Sequence, residues 1–126
     1  MEILNIEKAE DTPRIILDKA NGIFEISGRS LPEDCAEFYK PILEWIKNYA
    51  VAPNPSTEFV FNLEYFNTAS SKLILEIMTA FDKIQGATIH WHYQEDDEDM
   101  KEAGEEYQGL IEIPLELKGY WMLQVS

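Results

Sequence analysis

The hydrophobic positions along this chain change period several times, and each change marks an element. Arg14-Ile15-Ile16-Leu17-Asp18 and Gly22-Ile23-Phe24-Glu25-Ile26-Ser27-Gly28 carry β-branched and aromatic residues at strand spacing. The Asn21-Gly22 pair between them predicts a hairpin. From Asp34 to Tyr49 the period lengthens, and Phe38, Ile42, Trp45, Ile46 and Tyr49 form one helical stripe. Pro41 interrupts it. Either the helix kinks there or Pro41 begins a shorter one, and the unbroken phase of the stripe favours one kinked helix. Ala52-Pro53-Asn54-Pro55-Ser56 reads as a loop. Glu58 to Tyr65 reads as a strand. Leu73, Ile77, Ala80, Phe81 and Ile84 then give a second helix, closed by Gly86 with Lys83 in its last turn. Thr88 to Tyr93 predicts another strand, Glu98 to Gln108 a third helix weakened by Gly104, and Ile111-Glu112-Ile113 a short final strand. Positions 115–126 show no decisive period.

A strand–helix–strand unit implies a parallel pair joined by a right-handed crossover. The fold class that follows is α/β: a small mixed sheet with packed helices, one domain over residues 1–126. A 45 % hydrophobic and 12 % aromatic composition supplies a core for it. The net charge of −14 argues against a nucleic-acid partner and against an anionic membrane surface, and favours steering of a basic protein face. Eight acids and one lysine fall between Glu95 and Glu106, a run whose simplest role is a solvated face. Cys35 is the sole cysteine, which fits a reducing compartment. No apolar run approaches the roughly 18 residues needed to cross a bilayer, and the N-terminus lacks signal-peptide features, so a cytoplasmic location is expected. The apolar Gly119-Tyr120-Trp121-Met122-Leu123 segment needs cover from the domain or from a partner, which leaves monomer and homodimer both open.

Few residues suggest autonomous chemistry. His90 and His92 share one side of a strand, with Trp91 on the other. They could serve a small enzyme with a carboxylate, or bind a metal with a third ligand from elsewhere, but satisfied histidines are the simpler reading. Asp96, Asp97 and Asp99 lack the glycine and distal glutamate of a calcium loop. Cys35 has nothing local to make it a nucleophile and reads as a structural thiol. No metal or cofactor is called for.

The richest stretch is Tyr65-Phe66-Asn67-Thr68-Ala69-Ser70-Ser71, where strand period gives way to helix period. Asn67 and Thr68 are placed to cap the helix, with Ser70 and Ser71 in its first turn. Tyr65 and Phe66 either anchor the strand end in the core or lie under a partner, the core being the simpler role. A hydroxyl at this corner lies beside unpaired N–H groups and the positive end of the helix dipole, where a phosphate is well held. As a residue type Thr68 is first of all a helix cap; Ser70 and Ser71 are competing phosphate acceptors and otherwise ordinary first-turn residues.

This junction resembles that of the SiaC-type bacterial regulatory phosphoproteins, together with Pro32-Glu33-Asp34 before the Phe38/Tyr39/Trp45 helix and His90-Trp91-His92-Tyr93 on the late strand. The likeness runs from about Thr12 to Glu112. It implies a STAS-like domain, similar to anti-sigma-factor antagonists, that is not an enzyme. It further implies phosphorylation of Thr68 by a Ser/Thr kinase with a histidine-kinase-like ATPase domain, and removal of the phosphate by a PP2C-type phosphatase. Asn67, Thr68, Ala69, Ser70 and Ser71 would then form the partner-binding corner. The effector implied is a diguanylate cyclase, which links the family to cyclic-di-GMP signalling and biofilm formation. A constitutive acidic protein-binding module, indifferent to Thr68 and steeply dependent on salt, is the alternative.

Overall fold

In the computed structural model, which describes residues 1–121, hydrophobic period resolves into six strands and three helices. In chain order they are β1 (Leu4–Ile6), β2 (Arg14–Asp18), β3 (Ile23–Ser30), α1 (Cys35–Tyr49), β4 (Thr57–Phe66), α2 (Thr68–Phe81), β5 (Ala87–Gln94), α3 (Glu98–Leu110) and β6 (Leu115–Tyr120). The strands form one sheet in that same order. The pairs β1–β2 and β2–β3 are antiparallel, and every pair from β3 to β6 is parallel. The mixed α/β sheet read from the sequence is therefore present, with its parallel pair around α2.

All three helices lie on one face. Register sets Phe24 beside Phe59 and Phe61 beside Trp91, so these rings share a side. On that side Trp45 and Tyr49 of α1 meet Phe24, with centroids 6.0 and 5.0 Å apart. Phe81 of α2 meets Phe59 at 5.1 Å, and Tyr107 of α3 meets Trp91 at 5.3 Å. The Trp91 indole N–H donates to the Met100 carbonyl at 2.9 Å, so its one polar atom is satisfied inside the core. Each large side chain buried here contributes roughly 1.5–3 kcal/mol of transfer free energy, which makes this layer the main source of stability. The other face carries alternating residues such as Glu25, Glu58, His90, His92 and Lys118, and no helix among the described residues covers it.

Helix α1 is one helix through Pro41, as the phase of its stripe favoured; Pro41 is exposed, so the carbonyl left without its donor at Glu37 lies where water reaches it. Several other sequence expectations change. Helix α2 ends earlier than the apolar pattern suggested, at Phe81 with Asp82 as its C-cap, and Lys83 lies beyond it. Gly86 is instead the turn into β5: its φ is 81°, and a β-carbon there would run into the Pro55 carbonyl. Ile111-Glu112-Ile113 is not a strand. Asp82 Oδ1 accepts from Glu112 and Ile113 N–H, both at 3.1 Å, and this clasps the segment as a loop. The last strand is β6, where Leu115 and Leu117 face the helices, and β1 was not anticipated at all. Of the C-terminal apolar segment, Gly119 and Tyr120 belong to β6 and Trp121 is exposed; Met122 and Leu123 lie outside the described residues.

Gly104, which looked like a weakness in α3, is what lets that helix approach the sheet. A β-carbon there would fall 2.6 Å from Leu117 Cδ2 and press into the Trp91 ring. Gly104→Ala is expected to destabilise the protein by about 2 kcal/mol through overpacking, against the roughly 1 kcal/mol that alanine gains in helix propensity. Urea denaturation measures the sum. A variant as stable as the parent would mean that α3 can step away from the sheet at no cost.

Candidate functional site

The corner at the end of β4 is set by one residue. Asn67 is extended, with φ −86° and ψ 173°, and its N–H still reaches the Ser30 carbonyl of β3 at 3.1 Å. Its Oδ1 accepts from Ser70 N–H at 2.8 Å, and its carbonyl from Ser71 N–H at 3.0 Å. Asn67 alone is thus the cap. This corrects the expectation that Thr68 shares that role: Thr68 is the first helical residue and its side chain is exposed. Among the described residues its hydroxyl takes part in no hydrogen bond. Ala69 beside it is exposed as well, while the Ser71 hydroxyl turns back to donate to the Thr68 carbonyl at 2.7 Å.

Ser70 is not an ordinary first-turn residue. It has no exposed surface, and its hydroxyl donates to the Ser30 carbonyl at 3.0 Å. Ser30 Oγ donates to Ser70 Oγ at 2.8 Å and meets the Tyr39 hydroxyl at 2.6 Å. Cys35 Sγ adds a contact to Ser70 Oγ at 3.4 Å, which makes it the buried structural thiol expected of it. Burial is the chief reason the Tyr39 phenol is pushed up to about 12, so it stays protonated and can keep donating. This chain of hydroxyls fastens α1, β3 and α2 together beneath Thr68. Ser30, Cys35 and Tyr39 were not singled out as site residues from the sequence. The signal was there: Ser30 falls on the inward phase of β3 after Phe24 and Ile26, and Ser70 leads the inward stripe of Ile74, Ile77 and Phe81.

A bulge prepares the strand end. Leu63 pairs with Gly28 but Tyr65 with Arg29, so Glu64 is the extra residue. Beyond it Phe66 turns inward, with its ring 6.1 Å from Trp91 and 6.4 Å from Tyr107. Tyr65 turns outward and is 51 % exposed, so the core role expected for both residues holds only for Phe66. Tyr107 closes the corner from the far side, its hydroxyl donating to the Ser71 carbonyl at 2.9 Å. Part of the acidic run has a local role: Asp97 caps α3 by accepting from Met100 N–H at 3.0 Å, and Glu98 and Asp99 occupy its positive first turn.

The histidines stand apart from this corner, on the open face of the sheet. His90 lies between two carboxylates, 3.0 Å from Glu58 Oε1 and 3.5 Å from Glu116 Oε2. Among the described residues no group of three or more His, Cys, Asp and Glu is arranged to hold a metal ion. His92 is held below its ordinary value of 6.5, by burial first and then by Lys118 and His90, with Glu25 opposing.

Two outcomes are expected from this geometry. Asn67→Ala removes the cap and should cost about 1 kcal/mol, while Thr68→Ala should lie within about 0.5 kcal/mol of the parent; thermal or urea unfolding distinguishes them, and equal losses would make Thr68 part of the cap. For His92, the folded state favours the neutral ring, so its contribution is complete above pH 6.5 and is lost as pH falls below that value. Denaturation at about pH 7.5 and about pH 5.5 should show the parent losing more stability than His92→Gln. Equal losses in both proteins would place the ring in free contact with water.

Comparison with known proteins agrees with the architecture. The chain is 26 % identical over 124 residues to an uncharacterized protein of Pseudomonas aeruginosa (strain UCBPP-PA14), spanning 95 % of this chain and 98 % of that one. Its fold matches apo-SiaC from Pseudomonas aeruginosa with a TM-score of 0.86, at 24 % identity over 94 % of this chain and 100 % of the other. It also matches the structure of the diguanylate cyclase SiaD in complex with its activator SiaC from the same organism, with a TM-score of 0.84, at 25 % identity over 93 % of this chain and 99 % of that one. Residues 6–120, from the end of β1 to the end of β6, fit the description of the SiaC family regulatory phosphoproteins, and the chain belongs to that family.

Proposed function

We propose that this chain is a partner-switching regulator gated by phosphorylation of Thr68. One observation carries the reading: of the three hydroxyls in the first turn of α2, only that of Thr68 is exposed and uncommitted among the described residues. Ser70 is locked beneath it and Ser71 is turned onto its own helix. In this reading a Ser/Thr kinase with a histidine-kinase-like ATPase domain adds the phosphate, and a PP2C-type phosphatase removes it. The unmodified protein binds a diguanylate cyclase, as SiaC does in its complex with SiaD, and so acts on cyclic-di-GMP signalling and biofilm formation. A kinase that draws on ATP places the exchange in the cytoplasm. Asn67, Ala69 and Ser71 make the docking surface around Thr68, with Ser70 holding it from below.

The physics needs no catalysis from this chain, which supplies an acceptor hydroxyl while the kinase supplies nucleotide and metal. A phosphate adds roughly −1.5 to −2 charges and three acceptor oxygens. The positive end of α2 tolerates them, so the fold survives, but a partner that covers the bare corner must desolvate them. Docking is therefore lost.

Intact-mass and fragment-ion analysis of the protein from its native cells should map a phosphate to Thr68. In a pull-down from the same cells, Thr68→Ala should recover a diguanylate cyclase at least ~10-fold better than Thr68→Asp, a difference of about 1.4 kcal/mol. Equal recovery by both, with both proteins folded, would sink the gate and favour a constitutive acidic module.

A further inference from the structure

We infer that two copies of this chain join edge to edge through β6, antiparallel and centred on Leu117. The sheet ends at β6, and among the described residues no strand pairs with its outer side. Strand alternation fixes which groups that side presents. The Pro114 carbonyl accepts from Ile89 N–H at 2.9 Å and the Tyr120 carbonyl from Glu95 N–H at 2.7 Å, so the even-numbered residues turn their backbone towards β5. Leu115, Leu117 and Gly119 therefore turn N–H and C=O outward. Gln108 agrees with this: its Nε2 donates to the outward Leu115 carbonyl at 2.8 Å, and it is the one side chain among the described residues that meets this row. Neither a bulge nor a proline within the strand blunts the edge, and β6 has six residues where the opposite edge, β1, has three.

Charge selects a second copy and a register. Glu116 and Lys118 are exposed and share the face of the sheet away from the helices. When Leu117 lies opposite Leu117, Glu116 of each copy lies opposite Lys118 of the other. These are non-hydrogen-bonded positions, whose Cα atoms approach to about 4.5 Å and whose side chains lie closest. Sliding by the one step that keeps outward groups facing each other sets Glu116 against Glu116 or Lys118 against Lys118, which the same proximity penalises. In the favoured register the Leu117 N–H and C=O groups pair across the axis and Leu115 pairs with Gly119, while Gln108 keeps one lone pair of the Leu115 carbonyl. The exposed Trp121 is brought towards the half-buried Ile113 of the second copy. Above the sheet Gly104 packs on Leu117, so the two α3 helices run antiparallel past the same centre. Lys101 and Glu105 lie at i and i+4 on the stripe that Gln108 continues, the side of α3 turned to the edge. Lys101, the one base of α3, then faces Glu105 of the second copy and offsets the acids around it. The antiparallel pairing points the two Thr68 corners to opposite ends of the joined sheet, so the inference does not rest on phosphorylation and leaves both corners open.

Association follows mass action, so sedimentation equilibrium of the whole protein from about 10 μM to about 1 mM should show monomer giving way to dimer. Glu116→Lys and Lys118→Glu each set like charges opposite one another and should each weaken the dimer about tenfold, while the double variant, which exchanges the charges, should return to within about threefold of the parent. Hydrogen exchange of the parent gives a second reading that needs no substitution. The Leu117 and Gly119 amides should slow as protein concentration rises, and the Glu116 and Lys118 amides, already turned to β5, should not. A reversal that unfolds the chain is recognised by its far-ultraviolet circular dichroism, and the exchange of the parent then decides. Protein that stays monomeric throughout, a dimer indifferent to the single reversals, or a folded double variant no stronger than the single ones overturns the inference. So does exchange at Leu117 and Gly119 that ignores concentration.

Discussion

The constraint on which the structure depends is that the strand order never reverses. From β3 to β6 each parallel strand is added on the same side of the last, so each crossover helix returns over the same face. That concentrates the aromatic layer of Phe24, Phe59, Phe61 and Trp91 beneath three helices and leaves the opposite face to water. It also removes the usual ligand crevice, which in open α/β sheets forms where the order turns back on itself. The carboxyl ends of these strands therefore present surface.

Within that frame the polar groups are distributed with care. Ser30 and Ser70 are buried at the very point where β3, α1 and α2 converge, yet among the described residues no buried side-chain nitrogen or oxygen lacks a partner. A satisfied network of this kind resists rearrangement, because opening it would strand donors in a low-dielectric interior at about 1–3 kcal/mol each. The exposed Thr68 is thus mounted directly above a buried network whose groups are partnered. Tyr107 adds to this by tying α3 to the first turn of α2.

Sequence period carried the fold's middle well and its ends poorly. Strands β2 to β5 and helices α1 and α2 follow from their apolar positions, with Pro41 leaving the start of α1 open, while α3 was read as a helix weakened by Gly104. β1 has only three residues, and β6 alternates only through Leu115 and Leu117 before Gly119 breaks the pattern, so neither shows a decisive period. The end of α2 was misplaced because Ile84 continues the stripe after the helix has stopped: periodicity reports which side chains are inward, not which carbonyls are bonded. At the corner, residue type located the hydroxyls but could not rank them. Thr68, Ser70 and Ser71 are alike as sequence and differ entirely in exposure, which depends on Ser30 forty residues away. The bulge at Glu64 was equally silent, since a one-residue offset needs the partner strand to define it.

The cap geometry bears on how a phosphate at Thr68 would act. Of the first-turn donors, Ser70 N–H is held by Asn67 Oδ1 and Ser71 N–H by the Asn67 carbonyl. The Thr68 and Ala69 N–H groups are the ones left at the helix's positive end. A phosphate on Thr68 has those donors within its reach and need not displace Asn67, so nothing obliges the cap to open or the buried hydroxyls to move. A switch built by refolding would need the opposite arrangement, with the modified residue doing structural service in one state. Here the residue that serves the structure and the residue that is exposed are neighbours but not the same. In the proposed reading the gate would work by what a phosphate adds to the surface: bulk, charge and a shell of water that a docking partner would have to strip away.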